Sequence, residues 1–319
     1  YHITSTRSKD KKVNNIINFF ISLMNNFKAK VGLYILLIFI ITSIFAPLII
    51  GSPSDYVGVP LQAPSTEFWF GTNGQGQDVF AQTLHGAQKT LFIAFLSGFL
   101  VVLVGAFLGG VAGYFGSRLD DMISLLINVF LLLPGLPLMV ILAAWLPPGP
   151  LTIIVVLVFT GWAWHARVLR SQVMVFSNQD FVLASKVCGE SSFRIIMIEI
   201  LPRMLPLIAS SFIGATIYGI GAQVGLEFLG LGDISQVTWG TNLYWATNDL
   251  ALLTGSWWTY VPTGVSIALV SLSLTLINFG IDELANPRLI SERHLSNKLK
   301  GDFDRNSVTP VRVKNNVNT

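Results

Sequence analysis

The chain has 319 residues, of which 52% are hydrophobic and only 12% are Asp, Glu, Lys or Arg, and its mean hydropathy is +0.63. Soluble domains carry about 25% charged residues, so a water-soluble globule of this length is excluded. A net charge of +3 would suggest nucleic acid in a soluble protein, but the placement of the basic residues points elsewhere.

A bilayer core about 30 Å thick calls for roughly 20 apolar helical residues. Six stretches are read as spans: residues 32–50, 90–115, 122–146, 151–164, 204–228 and 260–281. Nineteen of the twenty Lys and Arg residues lie at 7–30, at Arg118, at 167–203 and at 288–314, on alternate sides of these spans, and Lys89 alone faces the other way. The positive-inside rule then gives an all-α membrane protein with six transmembrane helices, N-in and C-in. The chain divides into a basic cytoplasmic segment (1–31), a transmembrane domain (32–290) and a polar tail (291–319) that reads as solvated. The first span is expected to be an uncleaved anchor, because its basic flank is long and no small-residue cleavage pattern follows.

The outer loop at 51–89 holds Asp55, Glu67 and Asp78, and the outer loop at 233–259 holds Asp233, Asp249 and four tryptophans, Trp239, Trp245, Trp257 and Trp258. Such tryptophans are expected at the membrane interface. In span two, Gly105, Gly109 and Gly113 recur every four residues, a flat stripe suited to close helix packing within the subunit. Pro147-Pro148-Gly149-Pro150 forces a tight turn between spans three and four. The cytoplasmic loop 167–203 is longer than a turn needs. Ser177 and Asp180 form a capping pattern with Phe176 and Phe181 as its staple, so a helix is expected from about Asn178 to the stop at Gly189. Ser191 or Ser192 then caps a second helix leading into Leu201-Pro202. A short amphipathic helix projecting there suits either a partner's groove or the membrane interface.

Span five carries irregular glycines, Gly214, Gly219, Gly221 and Gly225, and reads as a moving or pore-lining helix. Ionisable residues within the spans are His165, Glu227, Asp282 and Glu283, none of them central, so a proton- or sodium-coupled mechanism finds no central carboxylate. The phosphate-binding pattern G-x-x-x-x-G-K-S/T is absent. Gly230-Leu231-Gly232-Asp233 spells the G-x-G-D of intramembrane aspartyl proteases, but the second carboxylate that this chemistry needs is missing. The single cysteine excludes Cys-based metal sites and internal disulfides, and no catalytic or metal-ligating residue is assigned.

The run Val182-Leu183-Ala184-Ser185-Lys186-Val187-Cys188-Gly189, followed by Ile200-Leu201-Pro202, resembles the E-A-A-x-x-x-G…L-P coupling loop of ABC importer permeases. Three more stretches resemble the C-type permease of the oligopeptide/dipeptide/nickel family. These are Phe70-Gly71-Thr72-Asn73 with Gly76-Gln77-Asp78-Val79-Phe80, Phe228-Leu229-Gly230-Leu231-Gly232 with Trp239-Gly240, and Asn286-Pro287-Arg288. The resemblance implies a type I ABC importer permease fold with a cytoplasmic coupling helix, in the plasma membrane of a prokaryote. It implies a homologous second permease, two ATPase subunits that bind ATP and Mg, and an extracellular solute-binding protein, with lipid around the spans and no nucleic acid. No cofactor is implied in this chain. Val182, Leu183, Ala184, Ser185, Lys186, Gly189 and Glu190 would couple to the ATPases. Gly219, Gly221, Gln223, Gly225 and Glu227 would line and gate the path, and Asn73, Gln77, Asp78 and Trp239 would belong to the outer loops. The cargo implied is a peptide; an oligosaccharide is the alternative within the same machinery, and a self-sufficient secondary transporter is the alternative outside it.

The sequence departs from the family pattern at several points. Leu183 replaces the glutamate of the coupling motif and Ser185 its second alanine. Asn73, Gln77, Gln82 and Gln88 stand where Asp, Arg, Arg and Arg are frequent, which thins the charge expected in an outer vestibule. The frequent glutamate of span five aligns with Gln223, while Glu227 follows one turn later on the same helical face.

Overall fold

The structure, a computed structural model, describes residue 24 and residues 26–285; the tail expected at 291–319 lies outside the described residues. Apart from an isolated antiparallel bridge between Thr72 and Asp78, the described elements are helical. In chain order they are α1 (Phe27–Ile49), α2 (Val79–Phe115), α3 (Ser117–Leu132), α4 (Gly135–Trp145), α5 (Pro150–Ser177), α6 (Asp180–Val187), α7 (Leu205–Phe228), α8 (Trp239–Asn248) and α9 (Val261–Ala285). Between α6 and α7 the backbone stays helical but changes pitch. Five helical stretches are long and apolar enough to cross a membrane, and α3 with α4 makes a sixth if that bent pair is one span.

Three spans differ from their expected form. Helix α2 begins at Val79 instead of residue 90, because Asp78 caps it by accepting the Phe80 N–H at 2.9 Å. Its 37 residues make it about 55 Å long at 1.5 Å per residue, so one end stands clear of the hydrocarbon. The third span is not continuous: α3 and α4 meet at 89° across Leu133 and Pro134. Pro134 has no N–H for the helical ladder and disfavours helical geometry at the residue before it. The fourth helix does not stop near residue 164 but runs on to Ser177. Ser177 is consequently not an N-cap; its hydroxyl donates back to the Met174 carbonyl at 3.0 Å, a common alternative for serine in a last helical turn. The turn at 147–150 forms as expected, with Thr152 Oγ1 donating to the Pro147 carbonyl at 2.5 Å.

Helix α2 is the centre of the bundle, packed against α5 on one side and α7 on the other. The glycine stripe makes the first contact possible. A Cβ added at Gly105 would lie 2.9 Å from His165 Cβ, one at Gly109 2.5 Å from the Ala166 carbonyl oxygen, and one at Gly113 2.6 Å from the Arg170 carbonyl oxygen. Backbones this close exchange dispersion contacts that lipid tails cannot replace. On the α7 side, Gly98 meets Thr216 in the same manner. Helix α1 closes on α9 where Gly32 faces the Ser273 carbonyl. Asp120 of α3 accepts two hydrogen bonds from the Arg170 guanidinium, one of them at 2.6 Å, which fixes α3 to the far end of α5.

The stripe gives a test of packing. Gly109→Ala forces backbone apart and is expected to cost about 1–3 kcal/mol, read as a lower thermal midpoint in detergent. Gly110→Ala, where an added Cβ meets nothing within 4 Å, is expected to stay within about 0.5 kcal/mol of the parent.

Candidate functional site

Helix α6 is rooted on one face and open on the other. Val182 is buried with Val101, Leu169, Val173, Ile195, Ile200 and Met204. Phe181 lies 3.7 Å below the Arg203 guanidinium, and Lys186 Nζ sits 4.9 Å from the Tyr114 ring centre, both cation–π contacts. Ser185 donates to Glu199 Oε1 at 2.8 Å, so the serine in place of alanine ties α6 to the segment leading into α7. Gly189 takes φ +79°, a left-handed conformation that ends the helix, and Glu190 N–H donates to the Ser185 carbonyl at 3.1 Å. The other face presents Leu183, Ala184, Val187 and Cys188 to the outside, and Phe193 and Met197 continue the apolar surface.

The expected second helix after Gly189 is not a regular one. Ser191 Oγ accepts the Arg194 N–H at 3.4 Å, capping a single α-turn (Ser192–Arg194). A π-helix (Ile195–Ile200) and a 3₁₀ turn (Leu201–Met204) follow. Pro202 has no N–H with which to continue a regular ladder, and Leu201 N–H reaches back to the Ile196 carbonyl. Arg203 Nη1 donates to the Glu199 carbonyl at 2.5 Å.

Helix α7 has two faces. At Gly214, Gly221 and Gly225 an added Cβ would meet nothing within 4 Å; with Tyr218, 46% exposed, these positions form one open stripe at helical spacing. Gly219 is turned inward, beside Ser97 of α2. Gln223 and Glu227, at 0% and 3% exposure, are also inside the subunit. Of the five residues expected along a path, Gly221 and Gly225 thus lie on the open face and Gly219, Gln223 and Glu227 on the closed one.

Glu227 is instead the join between α7 and α8. Its carboxylate accepts Gln223 Nε2 at 3.0 Å and the Thr238 hydroxyl at 2.6 Å, and Gly240 packs so closely that an added Cβ would lie 2.5 Å from Glu227 Oε2. Thr238 and Thr241 form a capping box at the start of α8, where free N–H groups and the helix dipole favour an anion. The glutamate is therefore displaced by one turn from the family position without leaving this polar cluster. Trp239 departs from the interface expectation: it is completely buried. Its indole N–H donates to the Thr83 carbonyl at 2.9 Å, and its backbone N–H donates to Thr90 Oγ1 at 3.0 Å. Of the four tryptophans in this loop, only Trp257 is more than a third exposed.

The outer loop before α2 is held by side-chain amides. Asn73 Nδ2 donates to Gln77 Oε1 at 3.0 Å and to Gln82 Oε1 at 3.3 Å, while Gln82 Nε2 donates to Gln77 Oε1 at 2.5 Å and to the Pro53 carbonyl at 3.3 Å. Three neutral residues in place of three charged ones thus satisfy one another inside the loop. Asn73 and Gln82 are buried in this network and Gln77 is half-buried, whereas Gln88, the fourth of these positions, is exposed. Burial pushes the Asp78 and Asp249 carboxyls above their ordinary range. Asp233 is held below it, chiefly by hydrogen bonds from Ser235 at 2.6 and 3.0 Å and with Lys89 nearby. Among the described residues, no group of three or more His, Cys, Asp or Glu side chains could hold a metal ion.

Residues 102–291 match the family described as binding-protein-dependent transport system inner membrane component. The dipeptide transport system permease protein DppC of Bacillus subtilis is 35% identical over 84% of this chain and 84% of its own length. The oligopeptide transport system permease protein OppC of the same organism is 31% identical over 83% of this chain and 87% of its own. The chain belongs to this permease family. Its fold is that of an ABC importer permease: a chain of the inward-facing MetNI methionine ABC transporter superposes with a TM-score of 0.51 at 20% identity, covering 64% of this chain and 94% of that one. The permease is accordingly a multi-pass protein of a prokaryotic plasma membrane.

Two features of the permease escaped the sequence. Arg203 and Glu199 connect α6 to α7, and Thr238 donates to Glu227; none stands at a motif position that predicts its partner. The outer loop of the permease gives a pH test. Asp249 accepts Gln75 Nε2 at 3.2 Å, while its other oxygen and Gln75 Oε1 are buried without partners. Because the folded-state carboxyl titrates above its unfolded value, its stabilising contribution is present below the ordinary carboxylate range and lost as pH rises through the raised value. Asp249→Asn supplies an N–H in place of the unpaired oxygen. Relative to the parent, it is expected to raise the thermal midpoint at pH 7, and the difference is expected to vanish below about pH 4.

Proposed function

We propose that this permease pairs with a homologous second permease and two ATPase subunits, and passes oligopeptides or dipeptides from an extracellular binding protein to the cytoplasm. The observation that carries the reading is the build of residues 180–204: α6 is anchored by Val182, Phe181 and Ser185, shows an apolar outer face, and connects through Arg203 and Glu199 to α7. A docked ATPase that moves α6 would thereby move α7 and its open glycine face as a rigid body. ATP and Mg are bound by the ATPase subunits, and this chain supplies the docking and the path. Val182 and Ser185 hold the coupling helix in place, whereas Leu183, Ala184, Lys186 and Gly189 are exposed for contact. The peptide cargo is supported by relatives named as dipeptide and oligopeptide permeases. The same relatives favour a peptide over an oligosaccharide cargo.

The coupling assignment is tested with Ala184→Arg, an exposed position where folding should survive. Reconstituted with its partners, the variant is expected to lose peptide uptake by about tenfold or more, the effect of a charge placed in an interface centre. Normal uptake and normal stimulation of ATP hydrolysis would remove the assignment. The orientation proposed is N-in and C-in, with the loop at 167–203 in the cytoplasm. Cys188 is the single cysteine and is exposed. A membrane-impermeant maleimide should therefore label the permease in inside-out vesicles and leave it unlabelled in right-side-out ones; the reverse pattern inverts the topology.

A further inference from the structure

The break between α3 and α4 opens on a cavity of about 400 Å³, within the range of small-ligand sites, walled by Phe130, Leu133, Trp164, His165, Gly214 and Tyr218 among others. It lies well inside the spans, with walls drawn from α3, α5 and α7 and from the broken backbone itself. Pro134 and Pro137 have no N–H, so the carbonyls of Phe130 and Leu133 lack the donors that a continuous helix would give them. Peptide groups unpaired in hydrocarbon are costly, and irregular backbone persists at this depth only inside protein or along a wet cavity. A solvated cavity meets this need, and Phe130 and Leu133 are both in its wall.

Apart from His165, the remaining walls carry no side chain that ionises near neutral pH. Trp164 and Tyr218 contribute aromatic side chains, whereas the Phe130 ring packs on Phe159 and Trp162 outside the cavity. The Tyr218 hydroxyl reaches the Met139 sulfur at 3.9 Å, a weak acceptor. No carboxylate, lysine or arginine borders the space. From Gly214 and Tyr218 the open stripe of α7 continues through Gly221 to Gly225, so the cavity is one stretch of a longer uncovered track. Released carbonyls accept N–H donors, and aromatic faces take apolar or aromatic groups. An uncharged peptide segment offers both: backbone amides at every residue and a side chain beside them.

We propose that this cavity is a transit subsite of the permease, in which backbone N–H groups of a passing peptide bond to the carbonyls freed at the α3–α4 break and an apolar side chain lies against Trp164 and Tyr218. The proposal rests on the peptide-transport reading above and adds selectivity within the membrane to whatever the binding protein provides. A space this size admits a large apolar side chain, whereas its uncharged walls disfavour a charged one.

The test uses the complete complex in proteoliposomes, with triglycine and trileucine as probes. Gly214→Leu adds a side chain where an added Cβ meets nothing within 4 Å, so it fills the cavity without disturbing the packing. It is expected to lower trileucine uptake about tenfold relative to triglycine, the size of effect that a pocket of altered volume has on selectivity. ATP hydrolysis stimulated by the loaded binding protein is expected to persist. Tyr218→Ala should shift the same ratio and Tyr218→Phe, which keeps the ring, should not. If Gly214→Leu and Tyr218→Ala leave the ratio unchanged, or lower uptake of both peptides equally, the subsite is overturned while peptide transport stands. If the parent complex carries neither of these peptides nor diglycine or dileucine, the cargo reading falls and the subsite with it.

Discussion

A peptide group without a hydrogen-bond partner costs several kcal/mol in hydrocarbon, and that cost shapes this chain from end to end. Where the backbone can form an unbroken ladder it does, and the long helices α2, α5, α7 and α9 result, while α1 carries Pro47 in its last turn. Where proline interrupts the ladder, the polar groups must be accommodated by something else. Pro134 interrupts the ladder beside a cavity, and Pro202 interrupts it in a segment that answers with a π-turn and an Arg203 side-chain bond to the Glu199 carbonyl. These two departures from regular helix stand at the wall of a cavity and at the approach to α6.

Helix α7 connects these places. At one end, Arg203 rests on Phe181 of α6 and bonds to Glu199, which in turn receives Ser185. At the other end, Glu227 binds the first turn of α8, and α8 is fastened to α2 through Trp239 and through Asn242, which donates to the Gln82 carbonyl at 3.1 Å. Between these anchors the stripe from Gly214 to Gly225 is bare. The helix is thus clamped at both ends by polar contacts and open along one face between them. The buried carboxylate is accordingly structural: truncating Glu227 would leave the Thr238 hydroxyl and the Gln223 amide buried without their acceptor, a penalty larger than the loss of the bonds themselves.

The spans were legible because apolar runs of helical length and the one-sided distribution of Lys and Arg are properties of composition. Their ends were less so. The first turns of α2 are hidden by Gln82, His85, Gln88 and Lys89, which interrupt the apolar run although the helix passes through them. The reverse error arises at residues 122–146, where apolarity continues across Pro134 and Pro137 and conceals a right-angle bend. Close packing by Gly105, Gly109 and Gly113 was readable from their spacing, since only one face of a helix recurs every four residues. Trp239 was not, because a tryptophan in a polar loop has the same signature at a membrane surface as in a pocket built by a distant helix. The pairing of Glu227 with Thr238, and of Arg203 with Phe181, depends on how chain segments return to one another, and no local pattern encodes it.

The outer loop shows how charge can leave a protein without loosening it. Two arginines and an aspartate in a buried corner would need one another to offset desolvation, and the removal of any one would strand the others. Asn73, Gln77 and Gln82 replace such a set together, and each amide can donate and accept, so the corner closes on Asn73–Gln77–Gln82 contacts and on the carbonyls of Pro53 and Ser54. Ser185 of α6 stands where an alanine was expected, and its hydroxyl adds an anchor by donating to Glu199. At the outer corner charge is absent without loosening the loop, because each amide both donates and accepts. On α7 the residues left facing open space are the glycine stripe and Tyr218.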